Sequence, residues 1–380
     1  MQYKSEDWKR SKGPIILLSC AAADSFADDV YKELSFLVKE YGPKFEIPFV
    51  ERVPVKEIHF PNSDIKIRIA NDDFSSLAGC DVYIFQDVER EQISVYDPKS
   101  NQLVDRITSN PANKEALKKL CEAVYGLGAR EMTTITPSFP DARQHKRSPG
   151  EDLGLRGIIR DLESRFVNRC VALDIHNENT ELAFDNARFI DLSAGPILFQ
   201  FLKRELEPKL ENLIVASIDL NTSRAEKASK YLKRPLAKTN KCRNQETGRI
   251  ESIELNLGDG INLEGMDILY VDDMVSTGGS VKKNAESVKR RYNLADIYIA
   301  ASLPLLDPPA EEMFDRAYED NLIKQFFTTD AVYIPKRIRE KPWLRMVSIA
   351  PLFARAIFRL NTNLSLEAIK ETNSYLKRPY

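Results

Sequence analysis

The sequence predicts an α/β protein with two domains of similar size, each built on a mostly parallel sheet. Short apolar runs alternate along the chain with stretches that have the spacing of amphipathic helices, and this βα alternation is typical of parallel sheets covered by helices. The length of 380 residues favours two or three domains. The apolar share of 43% and the charged share of 29% are ordinary for a globular protein with a large core.

The first half of the chain alternates strands and helices in order. The run IILLS at Ile15–Ser19 predicts a buried strand, and an amphipathic helix is expected directly after it at residues 26–40. Residues 89–113 interrupt the pattern, because turn formers at 96–101 separate two short apolar segments and predict a hairpin on the surface. The other expected strands are at residues 82–85, 132–136 and 170–173, and the other expected helices at residues 114–127 and 155–166.

The second half repeats the alternation. Strands are expected at residues 214–216, 268–271, 296–301, 331–334 and 346–349, and helices at residues 224–232, 281–292 and 350–360. Pro351 suits the first turn of the last helix, where its missing N–H is not needed. The two domains are expected at residues 1–185 and 186–345, and residues 346–380 are expected as a C-terminal segment that packs back on the first domain.

Composition and charge exclude several classes of function. A net charge of −2 gives no overall attraction to nucleic acid or to anionic membranes, so neither is expected as a partner. The five cysteines lie far apart without CxxC spacing, and their odd number argues against a disulfide framework. The polar start of the chain and the lack of an apolar run of roughly 20 residues predict a cytoplasmic protein.

The strongest local signal is the sequence ILYVDDMVSTGGS at residues 268–280. A buried strand is followed by two acids, by a short loop with two glycines and then by a helix. Glycines let backbone amides approach a phosphate, the N-terminus of the helix adds partial positive charge, and the acids suit ribose hydroxyls or Mg²⁺. A glycine-rich turn of any doubly wound fold is the alternative interpretation. The candidate ribose-phosphate-binding residues are Asp272, Asp273, Ser276, Thr277, Gly278, Gly279 and Ser280.

This segment resembles the phosphoribosyl pyrophosphate motif that phosphoribosyltransferases and ribose-phosphate pyrophosphokinases share. Further stretches are similar to the pyrophosphokinases and are not expected in simple phosphoribosyltransferases. They are IHFPNSDIKIRI at 58–69, SFPDARQHKR at 138–147, VALDIH at 171–176 and LRMVSIAPLFARAIFRL at 344–360. The resemblance spans nearly the whole chain except residues 89–113 and the C-terminal end, and it implies two tandem phosphoribosyltransferase-like domains.

The resemblance implies where ATP would bind. Phe60, Asn62 and Asp64 match the adenine-binding segment of the family, and Arg143 and Gln144 match its ATP-contacting pair. An aromatic face, an amide and a stacking guanidinium are groups that recognise a purine nucleotide. In the family a neighbouring subunit completes the adenine site, so a homo-oligomer, either a dimer or a hexamer, is implied.

The resemblance also implies the catalytic residues and the cofactor Mg²⁺. Lys241 and Arg243 match the K-x-R pair of the family's mobile catalytic loop, where two cations can neutralise charge during phosphoryl transfer. His176 matches the histidine that lies near the metal ion and the triphosphate. Asp219 matches the acid of the family's pyrophosphate loop, so His176 and Asp219 are the implied metal-binding residues.

The chain departs from the family in two loops. Ile218 stands where the family has a proline, Asn221 and Thr222 replace two glycines, and Ser276 replaces a common acid. The implied reaction is Mg²⁺-dependent transfer of pyrophosphate from ATP to the 1-hydroxyl of ribose 5-phosphate, which gives phosphoribosyl pyrophosphate and AMP. The departures leave two alternatives open: a larger acceptor such as ADP-ribose, or a non-catalytic regulatory homologue. A phosphoribosyltransferase would leave the motifs of the first half unexplained.

Overall fold

The computed structural model describes residues 11–69, 76–144, 149–218, 222–243, 250–256 and 263–370. The chain divides into two compact units. The first consists of Met1–Ser193, Ala331–Tyr333 and Ile349–Tyr380, and the second consists of Ala194–Asp330 and Ile334–Ser348. Both units contain a mostly parallel sheet with helices on its faces, so the predicted α/β class is confirmed.

The first unit begins with the βα alternation that the apolar pattern predicted. Its elements, in chain order, are β1 (Ile15–Ser19), α1 (Asp24–Tyr41), β2 (Val50–Arg52), β3 (Val55–His59), β4 (Ile65–Ile69), β5 (Asp81–Phe85), β6 (Gln92–Tyr96), β7 (Leu103–Ile107), α2 (Asn110–Gly126), β8 (Glu131–Ile135), α3 (Gly154–Glu163), β9 (Arg169–Leu173) and β10 (Arg188–Leu192).

The second unit follows directly, and the chain then returns to the first unit. The elements of the second unit are α4 (Gly195–Glu205), β11 (Leu213–Ser217), α5 (Ser223–Leu232), β12 (Leu236–Arg243), β13 (Ile250–Asn256), β14 (Asp267–Val275), α6 (Gly279–Tyr292), β15 (Ile297–Pro304), α7 (Ala310–Glu319), β16 (Gln325–Thr329), α8 (Lys336–Arg339) and β17 (Leu344–Val347). The returning elements are α9 (Ala350–Asn361) and α10 (Glu367–Lys370).

The main sheet of the first unit has the strand order β10-β9-β8-β5-β1-β2, with every pair parallel. Residues of α2 and α3 pack on one face of it. On the other face, α1 contacts α9 through Phe26 and Phe353, whose ring centroids are 5.3 Å apart. Because both faces are covered, β1 and β5 are buried at every position, which explains why they read as unbroken apolar runs.

The helix α9 is tied to this sheet by a buried polar network at its C-terminal end. Asn361 donates from Nδ2 to Oδ2 of Asp81 over 3.1 Å, and Tyr83 donates its hydroxyl to the same oxygen over 2.7 Å. Arg169 donates from Nη2 to Oδ1 of Asp81 over 2.7 Å. The carboxylate of Asp81 is therefore fully buried but hydrogen-bonded on both oxygens.

The predicted hairpin at residues 89–113 is confirmed, since β6 and β7 pair antiparallel. Its interpretation as a surface excursion is wrong for β6. Strand β6 pairs in parallel with β3 and completes a second sheet of order β4-β3-β6-β7. Ile93 and Val95 are buried and pack with Ala22, so one face of the hairpin belongs to a small core.

The sheet of the second unit has the order β13-β12-β11-β14-β15-β16-β17. Residues of α4 and α5 pack on one face and residues of α6 and α7 on the other. The strand predicted at 331–334 is wrong, because the neighbouring strand is Gln325–Thr329 and residues 331–334 are irregular. Ala331, Val332 and Ile334 are apolar because they are buried outside the sheet, which periodicity alone cannot distinguish. None of the helices in the described ranges is long and apolar enough to span a membrane.

Candidate functional site

The candidate site of the second unit lies where the strand order reverses. From β11 the chain runs through α5 to β12 on one side, and from β14 it runs through α6 to β15 on the other. Strands β11 and β14 are parallel neighbours, with Ser217 opposite Val271. Because α5 and α6 cover opposite faces, the loops at the carboxyl ends of these two strands border a crevice.

The acids of the phosphate loop region lie on the strand itself. Strand β14 extends to Val275, four residues beyond the predicted end, so Asp272 and Asp273 are its late residues. Asp273 is buried, and Nη2 of Arg224 in the first turn of α5 lies 3.9 Å from its Oδ2. Asp272 is half-buried and accepts the amide of Asp273 at Oδ1 over 2.9 Å. Arg224 thus partly balances the charge of the acids at the strand reversal.

The loop that follows β14, residues 276–280, is called the phosphate loop below. Gly278 has φ of +74°, a left-handed conformation that glycine adopts without strain. A Cβ atom at this position would overlap the end of Met313 in α7. Gly279 and Ser280 begin α6, whose first amides lack partners within the helix and can donate to an anion at its N-terminus. Thr277 and Ser280 are exposed and add hydroxyl donors, so the loop offers the groups that bind a phosphate.

Lys241 and Arg243 were expected on a mobile loop, and the structure places their backbones in a strand instead. Strand β12 starts parallel to β11 and then leaves it to pair antiparallel with β13. Lys241 lies opposite Ile253 and Arg243 opposite Ile250, with an irregular register between Cys242 and Arg243. The loop expectation was wrong because a polar, charged segment was taken as irregular, whereas backbone pairing between two such segments stabilises a hairpin.

The segment between β11 and α5 corresponds to the pyrophosphate loop of the resemblance. Asp219 and Asn221 lie outside the described residues. Thr222 has φ of −91° at the start of α5, so replacement of a glycine there requires no left-handed backbone. The Thr222 hydroxyl donates to Oε1 of Glu226 over 2.6 Å. In the described part of the chain, no group of three or more His, Cys, Asp or Glu side chains could hold a metal ion.

In the first unit, His176 follows β9 at the carboxyl edge of the main sheet and is exposed. The turn before it is anchored by two acids. Asp174 has φ of +44° and accepts the hydroxyl of Ser193 at Oδ1 over 3.0 Å. Asp191 on β10 accepts the amide of Ile175 over 3.0 Å. The end of β10 therefore fixes the backbone that presents His176 to solvent.

The candidate adenine-binding residues form the turn between β3 and β4. The amide of Phe60 donates to the carbonyl of Asp64 over 2.8 Å, and Asn62 donates from Nδ2 to Oδ2 of Asp64 over 2.6 Å. Phe60 is half-buried, whereas Asn62 and Asp64 are exposed. The polar groups of Asn62 and Asp64 are thus occupied with each other in this structure.

Arg143 and Gln144, the other candidate ATP residues, follow β8 and are both exposed. Gln144 donates its amide to the carbonyl of Asp141 over 2.8 Å, and Asp141 pairs with Lys114 over 2.9 Å. Across the described ranges, no hydrogen bond or ion pair joins Arg143 or Gln144 to the turn between β3 and β4. The structure therefore places the two groups on separate elements.

Sequence reasoning missed a polar cluster at the carboxyl end of β5, which borders the strand reversal of the first unit. Buried Asp87 accepts the amide of Tyr333 over 2.7 Å and the amide of Glu89 over 3.0 Å. Burial raises the pKa of Asp87 to about 6. The Arg90 guanidinium lies 3.8 Å from the ring centroid of Tyr333, and burial lowers the pKa of Arg90. The position of Asp87, two residues after a buried apolar run, was the available signal.

Comparisons with known proteins agree with this architecture. Residues 213–336 match the phosphoribosyl transferase domain family, which covers the strand reversal and the phosphate loop. The structure aligns with a phosphoribosylpyrophosphate synthetase from Mycobacterium smegmatis with a TM-score of 0.71, over 92% of this chain and 99% of that one. The sequence identity to it is 24%, so this alignment shows a shared fold.

Sequence relatives extend the similarity to nearly the full length. The ribose-phosphate pyrophosphokinase of Staphylococcus saprophyticus is 26% identical over 315 residues, which are 82% of this chain and 87% of that protein. The ribose-phosphate pyrophosphokinase of Corynebacterium efficiens is 26% identical over 370 residues, which are 96% of this chain and 98% of that protein. The chain is therefore similar over most of its length to ribose-phosphate pyrophosphokinases, and its second unit matches the phosphoribosyl transferase domain family.

Proposed function

We propose that this protein transfers the pyrophosphoryl group of ATP to the 1-hydroxyl of ribose 5-phosphate, giving phosphoribosyl pyrophosphate and AMP. The observation that carries the proposal is the phosphate loop, which follows two acids at the strand reversal of the second unit. The names of relatives that match 82% and 96% of the chain support the step from ribose-phosphate binding to pyrophosphoryl transfer.

The second unit would bind the acceptor. The first amides of α6, with the hydroxyls of Thr277 and Ser280, would hold the 5-phosphate. The carboxylates of Asp272 and Asp273 would accept hydrogen bonds from ribose hydroxyls, because a carboxylate attracts hydroxyl donors and repels a phosphate. The sugar would then lie in the crevice with its anomeric hydroxyl away from the loop.

The first unit would bind ATP through the residues that the resemblance assigns. Arg143 is exposed and makes no ion pair within the described residues, so its guanidinium is available to stack on a base or to contact phosphate. Phe60, Asn62 and Asp64 lie on a different element from Arg143 and Gln144. We infer that a second copy of the chain contributes one of these groups to each adenine site, which makes the protein a homo-oligomer.

The chemistry would consist mainly of positioning and charge neutralisation. The oxygen of the anomeric hydroxyl would attack the β-phosphorus in line, the bond between the β-phosphorus and the phosphate oxygen of AMP would break, and the hydroxyl proton would pass to solvent, while Lys241 and Arg243 would balance charge on the transferred group. Mg²⁺ would neutralise charge on the phosphate oxygens and orient the triphosphate of ATP. By the resemblance, His176 and Asp219 are the candidate ligands of the ion; a carboxylate such as Asp219 fits Mg²⁺, which commonly uses only one or two carboxylates beside phosphate and water. No residue is assigned as a general base.

The reaction would take place in a reducing compartment such as the cytoplasm. Cys20, Cys80, Cys121 and Cys170 are free and buried, and none of them forms a disulfide. Free thiols of this kind persist in compartments that keep cysteines reduced. Burial raises the pKa of Cys121 and of Cys170, so both remain neutral thiols without nucleophilic character.

ADP-ribose or another large ribose 5-phosphate derivative is the second candidate acceptor. It is favoured by the remodelled segment before α5, where the Thr222 hydroxyl is already engaged by Glu226 and no glycine remains at that position. A non-catalytic regulatory homologue is the remaining alternative. It is disfavoured because the acids, the phosphate loop and the two cations of β12 are all retained in the sequence.

The test is release of AMP from ATP and Mg²⁺ by the purified protein, with ribose 5-phosphate and ADP-ribose supplied separately. We expect AMP only when an acceptor is present, and the acceptor with the higher kcat/KM identifies the substrate. The matched control is the Lys241→Ala, Arg243→Ala double variant, which should still bind ribose 5-phosphate but release no AMP. Absence of AMP from the wild-type protein with both acceptors would refute the proposal and favour the regulatory alternative.

A further inference from the structure

The loop that follows β15 lies alongside the phosphate loop. Strands β14 and β15 pair in parallel to their last residues, with Val275 opposite Pro304. The pairing continues one step further, because the amide of Leu306 donates to the carbonyl of Val275 over 3.0 Å. Leu306 and the residue after it therefore lie beside the end of β14 and the start of the phosphate loop, although some thirty positions separate the two loops in the sequence.

Asp307 on this neighbouring loop makes a direct contact with the phosphate loop. The Ser276 hydroxyl donates to Oδ2 of Asp307 over 2.5 Å, a short bond of the kind that an ionised acceptor forms. The amide of Ala310 donates to the Asp307 carbonyl over 2.9 Å, which fixes the backbone at the start of α7. Asp307 is half-exposed, and its Oδ1 accepts no hydrogen bond from the part of the chain that is described.

This contact decides which groups the pair can bind. A serine hydroxyl has one hydrogen, and at Ser276 that hydrogen is donated to Asp307. Ser276 then presents only lone pairs to the crevice, and Asp307 Oδ1 is also an acceptor. Two acceptors and a negative charge repel a phosphate and favour hydroxyl donors. Thr277 and Ser280, in contrast, are exposed and keep their hydroxyl hydrogens for phosphate oxygens.

We propose that Asp307 is a specificity-determining residue that accepts a sugar hydroxyl of the acceptor substrate, with Ser276 held as a second acceptor beside it. The acid that the family resemblance leads one to expect at position 276 is thus supplied by the loop that follows the adjacent strand. This inference rests on the proposed function insofar as it takes the phosphate loop to bind ribose 5-phosphate. It adds a residue from outside the loop to that site.

The test compares Asp307→Asn with the wild-type protein in binding and in steady-state kinetics. We expect the Kd and the KM for ribose 5-phosphate to rise about 10-fold or more, because the acceptor of the sugar hydroxyl loses its charge and an amide N–H₂ donor replaces one of the two carboxylate oxygens. The KM for ATP should stay within about 2-fold, because no charged contact to the nucleotide is altered. A structural role alone would lower the melting temperature and change both KM values together.

A second variant tests the same idea by moving the acid. Ser276→Asp combined with Asp307→Ala returns a carboxylate to the phosphate loop, and it should recover most of the affinity for ribose 5-phosphate that Asp307→Ala loses. Recovery of affinity in this double variant would show that binding requires a negative charge at the site, and it would exclude damage to the loop as the cause of the loss. Failure to recover, with a melting temperature equal to that of the wild type, would contradict the proposal.

Direct calorimetric titration with ribose 5-phosphate separates this inference from the proposed function. If the wild-type protein binds ribose 5-phosphate but releases no AMP, and Asp307→Asn binds it about 10-fold more weakly, the transfer reaction is refuted and the role of Asp307 stands. Equal affinity of the two proteins, or no binding by the wild type, overturns the role of Asp307.

Discussion

Gly278 of the phosphate loop should not tolerate a side chain. Its φ of +74° is left-handed, and an alanine there costs ~1–2 kcal/mol. The added Cβ would overlap the terminal methyl of Met313, while Phe314 lies at an ordinary 3.5 Å. The end of a methionine is flexible, so moving it adds only ~0.5–1.5 kcal/mol. Gly278→Ala should therefore lower the free energy of unfolding by about 1.5–3.5 kcal/mol.

The matched control is Gly265→Ala in the same unit. Gly265 has φ of +73°, but an added Cβ atom there would meet no atom within 4 Å. Gly265→Ala should therefore lose only the free energy of unfolding that the left-handed backbone costs an alanine, about 1–2 kcal/mol. Both variants are compared by urea denaturation and by the KM for ribose 5-phosphate, which should rise for Gly278→Ala only. Equal losses of stability together with an unchanged KM in both variants would refute the reasoning about Met313 and the loop.

Three further predictions concern the first unit. Asp87 has a pKa of about 6 against 3.8 normally, so the folded state holds this proton more tightly and the contribution of Asp87 to stability falls as pH rises between about 4 and 6. Asp87→Asn should remove a pH-dependent penalty of up to about 3 kcal/mol at pH 7, but it also places an amide nitrogen opposite one of the two backbone N–H donors, at a pH-independent cost of about 1–3 kcal/mol. Urea denaturation at several pH values should therefore show the stability of the variant relative to the wild type rising from pH 4 to pH 7; a pH-independent difference would contradict this. Arg169→Leu leaves the buried Asp81 carboxylate without its ion pair and should cost about 3–5 kcal/mol, with a smaller loss in Arg169→Leu combined with Asp81→Leu. Phe353→Ala should cost about 3–5 kcal/mol in the same assay by opening a cavity against Phe26, and a loss under 1 kcal/mol would show that α9 does not support α1.

Local sequence was sufficient for many of the buried strands and amphipathic helices of both units and for the phosphate loop of the second unit. Strands buried on both faces read as unbroken apolar runs, and β1, β5 and β9 were recognised on that basis. The phosphate loop was visible because its acids, glycines and hydroxyls are contiguous in the chain. A binding element made by one strand and one helix start needs no knowledge of distant residues.

The predictions that proved wrong concern segments whose burial or strand pairing depends on residues distant in the sequence. Residues 331–334 are apolar because they are buried away from any strand, and the pattern could not reveal this. Lys241 and Arg243 were expected in a loop, yet pairing of β12 with β13 places their backbones in a hairpin. Backbone hydrogen bonds between strands leave little trace in polar sequences.

The sequence by itself determined the α/β class, the position of the phosphate loop and the family resemblance, since each rests on residues close together in the chain. Only the tertiary structure brought Asp307 to Ser276 and Tyr333 to Asp87. Both contacts are set by neighbouring positions in the folded structure, and parallel strands are joined by long crossover connections that separate such neighbours in sequence. The residues that complete a site at a strand reversal are therefore distant in the chain and become visible only after folding.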